Sequence, residues 1–436
     1  MVPGKNFAFS MVEEKPHLHK AVVTIGHEHI DALYNEALLA KKLQTDTYGF
    51  TKGSTPIHYI EHNFRSNIVE HLKELLFTHC VVHYLYESLA QNKVVLAGDP
   101  DLIDISLRPD GDAQYTFSLF NIPIDSDQRW KRLHVKQALR KNYKDLDRQV
   151  DAMIKEELEL KKRHADSTIA LGDWVYFDIA IVDKNNKILL HDYKSSLWIR
   201  MNSGEDDKAL HDLFLGKKTG DSFLTQSNYL QEYLSLASDM NYTFQVDIKA
   251  YLVDAFFSLD LLKRHFKLRN DREVHLKIIE VFSTRNDTSQ RRETVDAVFR
   301  LLCKQYFIGL PTTLLERQRV MVLSALQTTS DYHVYKAQSD FREIVKNLAE
   351  KQLKENIIID AIAIQEGIEV THEDVLGYLN LLKRPRLKEF IYFKLPSHKV
   401  LGQDVPLSDE FVKRYCLREK TLNHIISHVT RKVKES

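Results

Sequence analysis

Cysteine is scarce in this 436-residue chain, which has three, at Cys80, Cys303 and Cys416. They lie far apart in the sequence and form no C-x-x-C pair. A disulfide framework and a thiolate zinc site both need clustered cysteines, so the sequence predicts neither. We expect reduced thiols that are partly buried.

Long apolar runs, net charge and phosphate-binding glycine motifs are also lacking. The longest apolar stretches, Ile357–Ile359 and Ala361–Ile364, are separated by Asp360, so no membrane span is predicted. Residues 1–14 lack the apolar core of a signal peptide, which favours a cytoplasmic protein. Lys plus Arg and Asp plus Glu each number 61, so any nucleic-acid contact would need a local patch. Without a P-loop we expect no nucleotide, and we expect no other cofactor.

An α+β pattern covers residues 12–122. Lys20–Ile25 has the pattern of a strand, and apolar residues at helical spacing follow it up to Lys42. Thr55 is the predicted N-cap of a second helix with Pro56 at its first position, and an apolar stripe then runs from residue 57 to 76. Apolar residues stand at every second position on both sides of a Pro-Asp-Gly-Asp turn within residues 103–119, and this pattern predicts a hairpin.

Three further segments follow this head. Residues 123–165 form a predicted helical linker. Its helix is predicted from Asp145 to Arg163, with acids in the first turn and Lys161–Arg163 in the last. In residues 166–255 the hydrophobic pattern changes to the two-residue period of strands, for example at Trp174–Val182. This segment predicts a small β-rich domain. Residues 256–436 have helical periodicity. The predicted fold class is α+β multidomain, with an α+β head, a β-rich middle domain and an all-α C-terminal domain.

This order resembles the trigger factor family of ribosome-associated chaperones, and short motifs agree with it over about residues 12–430. The loop Gly49–Pro56 stands where the family has G-F-R-x-G-K-x-P, between the first helix and a long second one. The other matching segments are Ala97–Pro100, Gly172–Val175, Leu215–Asp221, Leu310–Leu315 and Gly367–Thr371. Each motif alone is weakly specific, whereas their correct order over the whole chain is strongly specific.

The resemblance implies a nucleotide-independent chaperone that docks at the ribosome exit tunnel and keeps nascent chains unaggregated. The implied partners are ribosomal protein and rRNA of the large subunit, unfolded polypeptides and, off the ribosome, a second copy in a homodimer. The candidate ribosome-binding residues are Gly49, Phe50, Thr51, Lys52, Gly53 and Ser54.

Within that loop Phe50 supplies an aromatic anchor and Lys52 a cation, both suited to an acidic or RNA surface. Thr51 and Ser54 replace a family Arg and Lys, so we expect weaker electrostatic binding. Lys41, Lys42 and Arg65 are nearby candidates for compensating charge.

The middle domain resembles the family's FKBP-like peptidyl-prolyl isomerase domain. Such a domain needs an apolar, aromatic pocket that favours the twisted X-Pro amide. The matching candidates are Asp178, Ile179, Leu197, Leu210, Tyr233 and Phe244. Ile179 and Leu197 replace aromatic residues, and Asp207–Leu210 replaces the family's I-P-G-F floor. We therefore expect the fold to be kept and the isomerase activity to be eroded, and no catalytic residue is assigned.

His58, Glu61 and His62 match H-x-x-E-H, a pattern of inverted zinc peptidases. Among 20 histidines such a match arises easily, so we expect solvated side chains and no metal.

Two rival interpretations stay open. One is a working FKBP-type isomerase with helical appendages. The other is a SurA-like periplasmic chaperone, whose helical regions share a G-I-x-V-[ST] pattern, although a missing signal peptide disfavours it.

Overall fold

The computed structural model of the protein describes residues 7–124, 128–136, 145–163, 168–202, 204, 207–235, 240–253, 257–285, 287–396, 399–400 and 403–431. Helices and antiparallel sheets alternate along these ranges, which confirms the predicted α+β class. No helix within them is long and apolar enough to cross a membrane.

The N-terminal part is an antiparallel sheet covered by helices. Its elements are β1 Phe7–Lys15, β2 Leu18–Ile25, α1 His27–Gln44, α2 Ile57–Leu76, α3 Val82–Gln91, β3 Leu96–Ser106 and β4 Ala113–Asn121. The strands lie in the order β1-β2-β4-β3. A π-helical turn, Phe77–Val81, joins α2 to α3. The apolar stripe of α2 is buried from Ile60 onward, with Ile60, Ile68 and Leu72 fully covered, which agrees with the predicted helix and its inward face. Ile57, at the start of the stripe, is 44% exposed instead, and Phe64 is half-buried.

The start of α2 differs from the prediction by one residue. The helix begins at Ile57, Pro56 takes the N-cap position, and no side chain in the described part of the chain caps the helix. Thr55 is fully buried instead, and its Oγ1 lies 2.5 Å from Oγ1 of Thr47. The Thr55 hydroxyl therefore closes the preceding loop rather than the first helical turn.

The linker helix and the middle sheet come next. Their elements are α4 Leu146–Arg163, β5 Trp174–Val182, α5 Leu189–Asp192, β6 Ser195–Arg200, α6 Lys208–Phe214, β7 Ser222–Thr225, α7 Asn228–Leu234 and β8 Thr243–Leu252. The linker helix matches the predicted one within a residue, and β5 matches its prediction at both ends.

Helices dominate the rest of the chain. They are α8 Leu259–Phe266, α9 Asp271–Phe282, α10 Gln290–Gln305, α11 Thr312–Gln327, α12 Tyr332–Lys336, α13 Phe341–Gln365, α14 His372–Leu382 and α15 Asp409–Arg431. Short strand pairs interrupt them at β9 Thr284–Arg285 and β10 Thr288–Ser289, and at β11 Lys399–Val400 and β12 Gln403–Asp404. Strand β13, Leu407–Ser408, pairs with β6, so the middle sheet has the order β13-β6-β5-β8-β7.

One hydrophobic core crosses the boundary between the head and the middle sheet. It contains Leu72 and Val81 of the head together with Phe177, Leu197 and Phe244 of the sheet. A second core joins the ends of β3 and β4 to the C-terminal helices. The boundaries after residues 122, 165 and 255 stay predictions, and the three parts pack against one another rather than each enclosing a separate core.

Candidate functional site

The loop between α1 and α2 is shaped by two glycines. Gly49 and Gly53 have φ of +85° and +82°, values that side-chain-bearing residues rarely adopt. A backbone bridge between Thr47 and Phe50 closes the first turn, with the Phe50 N–H donating to the Thr47 carbonyl at 3.1 Å. The glycines thus allow two tight turns in succession, which carry the intervening residues outward.

Thr51 and Ser54, which replace the family's cations, bond to each other. The Thr51 hydroxyl donates to Ser54 Oγ at 2.9 Å, and the Ser54 hydroxyl donates to the Thr51 carbonyl at 2.7 Å. Both residues are exposed. They stabilise the second turn but offer no charge to a partner.

Aromatic and apolar side chains are also exposed in and beside this loop. Phe50 is 39% exposed and lies beside Tyr59, with the ring centroids 5.5 Å apart. Tyr48 is fully exposed, and Leu43 and Ile57, which flank the loop, are also exposed. Of these four exposed side chains, the sequence motif includes only Phe50. The exposure of Tyr48, Leu43 and Ile57 follows from the tertiary structure and could not be found from the motif.

Lys41 does not supply the compensating charge that the sequence suggested. It is 3% exposed, its Nζ donates to Asn67 Oδ1 at 3.0 Å, and it lies 5.0 Å from the centroid of the Phe64 ring. Lys52 and Arg65 are exposed and Lys42 is half-buried. The cations available to a partner near the loop are therefore Lys52 and Arg65, with part of Lys42.

The zinc-peptidase pattern lies at the start of α2. His58 and His62 are exposed and Glu61 is half-buried. Nowhere in the described part of the chain do three or more His, Cys, Asp or Glu side chains form a group that could hold a metal ion.

The predicted prolyl-pocket residues do not meet around one opening. Ile179, Leu197, Leu210 and Phe244 are fully buried and belong to the core shared by the head and the middle sheet. Asp178 faces another way: Ser196 Oγ donates to it at 2.7 Å, and Lys249 Nζ lies 3.2 Å from it. Four of the six candidates therefore have no exposed surface that a substrate proline could contact.

Asp178 and Tyr233 line two different cavities. Asp178 borders a cavity of about 1290 Å³ between α3, the middle sheet and α15. Tyr233 borders one of about 510 Å³ next to α2, and burial raises the pKa of its hydroxyl well above the ordinary value. Asp178, the acidic candidate, and Tyr233, an aromatic candidate, therefore do not share a cavity.

Comparisons with known proteins agree with the residue motifs. The family model of the bacterial trigger factor protein (TF) matches residues 9–157, and that of the bacterial trigger factor protein (TF) C-terminus matches residues 274–380. Together these matches cover more than half of the chain. The chain belongs to the trigger factor family.

Similar proteins named trigger factor come from several bacteria. The one from Geobacter metallireducens is 22% identical, over 78% of this chain and 80% of the relative. Those from Halothermothrix orenii and Clostridium beijerinckii are each 21% identical, over 81% and 91% of this chain and 84% and 97% of the relatives. A solved structure titled "Promiscuous Substrate Recognition in Folding and Assembly Activities of the Trigger Factor Chaperone" aligns over 97% of this chain and 100% of that chain, with 16% identity and a TM-score of 0.38.

Membership of the trigger factor family makes the protein a ribosome-associated chaperone that binds nascent chains. Its helices α11, α12 and the first half of α13, residues 312–349, form what we call the helical arm. Val322, Val345 and Ala349 make a small core of the arm's own, apart from the two cores described above. Large apolar side chains remain exposed on it: Val320 60%, Met321 51%, Val334 67%, Tyr335 42% and Ile344 37%.

Other apolar stripes of the helical part are core. Ile357, Ile358 and Ala361 are at most 3% exposed, and Ile364 is half-buried against them. These residues therefore pack internally instead of forming client surface.

Proposed function

We propose that the protein docks on the large ribosomal subunit at the exit tunnel through the 49–54 loop and keeps emerging chains unaggregated on its helical arm. Both actions would take place in the cytoplasm, and neither needs a nucleotide or a metal. The observation that carries the second action is the exposed apolar surface of the arm. Patches of this kind mark contacts with other apolar chains.

The arm supports client binding because no other described part of the chain covers its exposed apolar side chains. Val320 and Met321 lie on α11, Val334 and Tyr335 on α12, and Ile344 on α13. Their spread over three helices suits unfolded segments of many sequences rather than one defined ligand. Burial of each large side chain by a client would contribute about 1–2 kcal/mol.

An aggregation assay with a denatured client tests the arm. We expect the full chain to suppress aggregation near a stoichiometric ratio, and Met321→Ser with Val334→Ser to weaken the effect severalfold. Leu224→Ser with Leu276→Ser is the matched control, because both leucines are about half exposed elsewhere. Equal loss in the two double variants would contradict a role of the arm.

Loop docking is tested by co-sedimentation with large ribosomal subunits. Phe50→Ala with Lys52→Ala removes the anchor and the cation, and we expect binding to be lost while the melting temperature is kept. The matched control is Lys304→Ala with Phe307→Ala, an exposed lysine and a fully exposed aromatic elsewhere. Unchanged binding of the loop variant would remove the loop assignment.

Conversely, Thr51→Arg with Ser54→Lys restores two cations on the loop. We expect tighter binding with a steeper dependence on salt, because more counterions are released.

Isomerase activity is not included in the proposal. Burial of Ile179, Leu197, Leu210 and Phe244 supports an eroded pocket. The full chain should leave a proline-limited refolding step, which takes tens to hundreds of seconds, essentially unaccelerated. Clear acceleration that Tyr233→Ala abolishes would make the isomerase the main activity.

Off the ribosome we expect a homodimer, which sedimentation velocity at rising concentration would detect.

A further inference from the structure

A basic segment follows the head sheet at residues 129–136, apart in the sequence from the 49–54 loop and the helical arm. It contains four Lys or Arg and one His, and no Asp or Glu. It begins with a 3₁₀ turn, Arg129–Arg132, in which Trp130 is fully buried. The chain as a whole is neutral, so this concentration of positive charge is local.

Contacts with α10 and α15 fix the backbone of the basic segment. Trp130 N–H donates to the Tyr306 hydroxyl, just after α10, at 3.3 Å. Val135 N–H donates to the Val429 carbonyl of α15 at 3.3 Å, and the Trp130 ring packs edge-on against His428 at 5.2 Å. The segment therefore holds its side chains in defined positions.

The polar side chains of the segment point outward in a row. Arg132, His134 and Lys136 are exposed, whereas Leu133 between them is half-buried and Val135 is buried. Alternate residues of an extended chain share one face and lie about 6.5 Å apart. The three exposed side chains thus form a short row along one face, suited to successive phosphates of one strand.

The parts of the chain that meet the segment add no negative charge. Residues 300–315, around the end of α10, contain two Lys or Arg and no acid, and residues 420–431 of α15 contain two Lys or Arg, two His and no acid. Glu366, which follows α13, lies 2.8 Å from Lys131 Nζ and neutralises that lysine. Arg132 and Lys136 have no acidic partner among the described residues.

An open aromatic ring stands beside this positive charge. Phe307 directly follows Tyr306, whose hydroxyl contacts Trp130, and it is 100% exposed. Lys304, three residues earlier, is exposed as well. A phenylalanine left wholly in water contributes no burial to the fold. Cations in a row beside an open aromatic face are the combination that binds single-stranded nucleic acids, with phosphates on the cations and a base on the ring.

We propose that residues 129–136 and Phe307 bind single-stranded nucleic acid, and we call them the basic surface. Phosphates would lie along Arg132, His134 and Lys136, and one base would stack on Phe307. Such a surface takes on the order of four nucleotides with little sequence preference. This activity goes beyond the proposed function, because it requires neither a ribosome nor an unfolded protein.

The exposed ring separates this ligand from two others that carry negative charge. A duplex would gain the charge attraction, but its bases stay stacked on one another and offer no face to Phe307. An anionic membrane would also attract the cations, but lasting attachment needs an apolar face that inserts into the lipid. One phenylalanine supplies little of such a face.

Fluorescence anisotropy with a labelled oligouridylate of about twelve nucleotides tests the proposal on the full chain. We expect a Kd of about 1–100 μM at physiological salt, the range of sequence-independent binding. The logarithm of the binding constant should fall linearly with the logarithm of the salt concentration. Each cation that contacts a phosphate of a single strand contributes about 0.7 to the slope.

Removing charge should change both affinity and salt dependence. Arg132→Gln with Lys136→Gln should weaken binding at least about fivefold and reduce the slope by about 1.4, because two phosphate contacts are lost. The matched control is Lys184→Gln with Lys187→Gln, two exposed lysines in the turn after β5, which should leave binding unchanged.

Removing the aromatic face should change affinity alone. Phe307→Leu keeps an apolar side chain, and we expect at least about fivefold weaker binding with the same salt slope, because stacking releases no counterion. Phe307→Trp should restore the parent affinity. Tyr48→Leu, at the other fully exposed position, should have no effect. Binding of a duplex of the same length should not respond to Phe307→Leu.

Ribosome co-sedimentation distinguishes the basic surface from the 49–54 loop. Phe50→Ala with Lys52→Ala should lose ribosome binding and keep oligonucleotide binding. Lys304→Ala with Phe307→Ala should do the reverse. Loss of both activities in either double variant would overturn the assignment of a separate surface.

Three further results would overturn the proposal. The first is unchanged anisotropy at a chain concentration of about 100 μM. The second is equal weakening by the Arg132, Lys136 pair of substitutions and by the Lys184, Lys187 pair. The third is binding to phosphatidylserine vesicles that Arg132→Gln with Lys136→Gln abolishes while oligonucleotide binding persists, because the ligand of the surface would then be a lipid.

Discussion

Glu355 lies inside the helical part of the molecule with its side chain 3% exposed. The Tyr392 hydroxyl donates to its Oε2 at 2.8 Å, and Lys351 Nζ lies 3.7 Å from its Oε1. Burial raises the pKa of this carboxyl to about 7, against an ordinary value of 4.5. A group on the helix that continues the arm therefore changes charge near neutral pH.

The pH dependence of stability follows from that pKa. Between pH 4.5 and 7 the folded protein keeps a proton that the unfolded chain has lost, so this group lowers stability as pH rises through that range. Glu355→Gln should raise the melting temperature by about 2–5 °C at pH 8 and change it little at pH 5. Circular dichroism melts measure this. Glu350→Gln, on the same helix and more exposed, should shift neither value, and an equal shift at both pH values would contradict the assignment.

Gly98 is the residue at which strand β3 meets the C-terminal helices. Its φ is +75°, and an added Cβ would lie 2.9 Å from Cδ1 of Leu314. Gly98→Ala should therefore cost about 1–3 kcal/mol of unfolding free energy, measured by urea denaturation. Gly111→Ala is the control, because nothing lies within 4 Å of a Cβ there. Equal costs at the two glycines would show that the close approach to Leu314 is not limiting.

At the scale of elements, the π-helical turn Phe77–Val81 directs His79 into the contact with the middle sheet. Ser195 Oγ lies 2.8 Å from His79 Nδ1 and also donates to the His79 carbonyl. Since the hydroxyl proton is used on the carbonyl, His79 Nδ1–H donates to Ser195 Oγ, and Nε2 carries no proton. No described residue offers the buried His79 Nε2 a hydrogen bond, and the Tyr193 ring packs edge-on at 5.4 Å.

This contact requires neutral His79. Burial, with a smaller effect of His83, lowers the pKa of its imidazole to about 3 from 6.5. The stability that depends on neutral His79 is complete above pH 6.5 and is lost as pH falls toward 3, because only the unfolded chain takes up the proton. By pH 5 the loss is about 2 kcal/mol.

His79→Asn keeps a donor near Ser195 and removes the titration. We expect its unfolding free energy to fall less between pH 7 and pH 5 than that of the parent. His58→Asn, at an exposed position, should behave like the parent. An unchanged pH slope in His79→Asn would mean that the histidine contact is not sensitive to protonation.

Elements whose patterns are local could be predicted from the sequence. The stripe of α2 and the alternation of β5 depend on neighbours a few residues apart, and both elements lie where the pattern places them. Strand β13 could not be predicted, because two residues become a strand only by pairing with Leu197 and Trp198, about 200 positions away. Strand β1 was also missed, since its side chains are half-buried or exposed and the pattern is weak.

The candidate site, like the fold, could be predicted from the sequence only in its local features. Motif order located the 49–54 loop, because the spacing of its glycines and proline can be read from the sequence. Burial of Lys41 and exposure of Tyr48 could not be read, since both depend on how α1 and α2 pack together. The prolyl candidates were aligned by resemblance, whereas the packing of the head against the sheet determines whether a pocket is open there.

For the molecule as a whole, the shared core links parts that the sequence treats as separate domains. Leu72 of α2 is fully buried and belongs to the same core as Val175, Phe177 and Ile179 of β5. His71 adds polar contacts, with Nδ1 3.0 Å from Ser235 Oγ and Nε2 2.9 Å from the Tyr242 hydroxyl. Loss of packing in the head should therefore be felt in the middle sheet.

Leu72→Ala tests this coupling in the full chain. Truncating a fully buried leucine costs about 2–5 kcal/mol, and the cost should fall on the whole unit that encloses the cavity. We expect the amides of Trp174–Val182 to exchange faster in this variant, in parallel with those of α2, because opening the head also uncovers the sheet.

The control is Val345→Ala, which removes apolar volume from the separate small core of the helical arm. Its effect should stay within the arm and leave the exchange of Trp174–Val182 unchanged. Faster exchange in α2 alone after Leu72→Ala would show that the head and the middle sheet unfold independently. In that case the contacts of His71 and His79 would be a docking of two stable domains. Coupled exchange would instead mean that the head and the middle sheet form one folded unit around their shared core, so that the sheet cannot stay protected once the head opens.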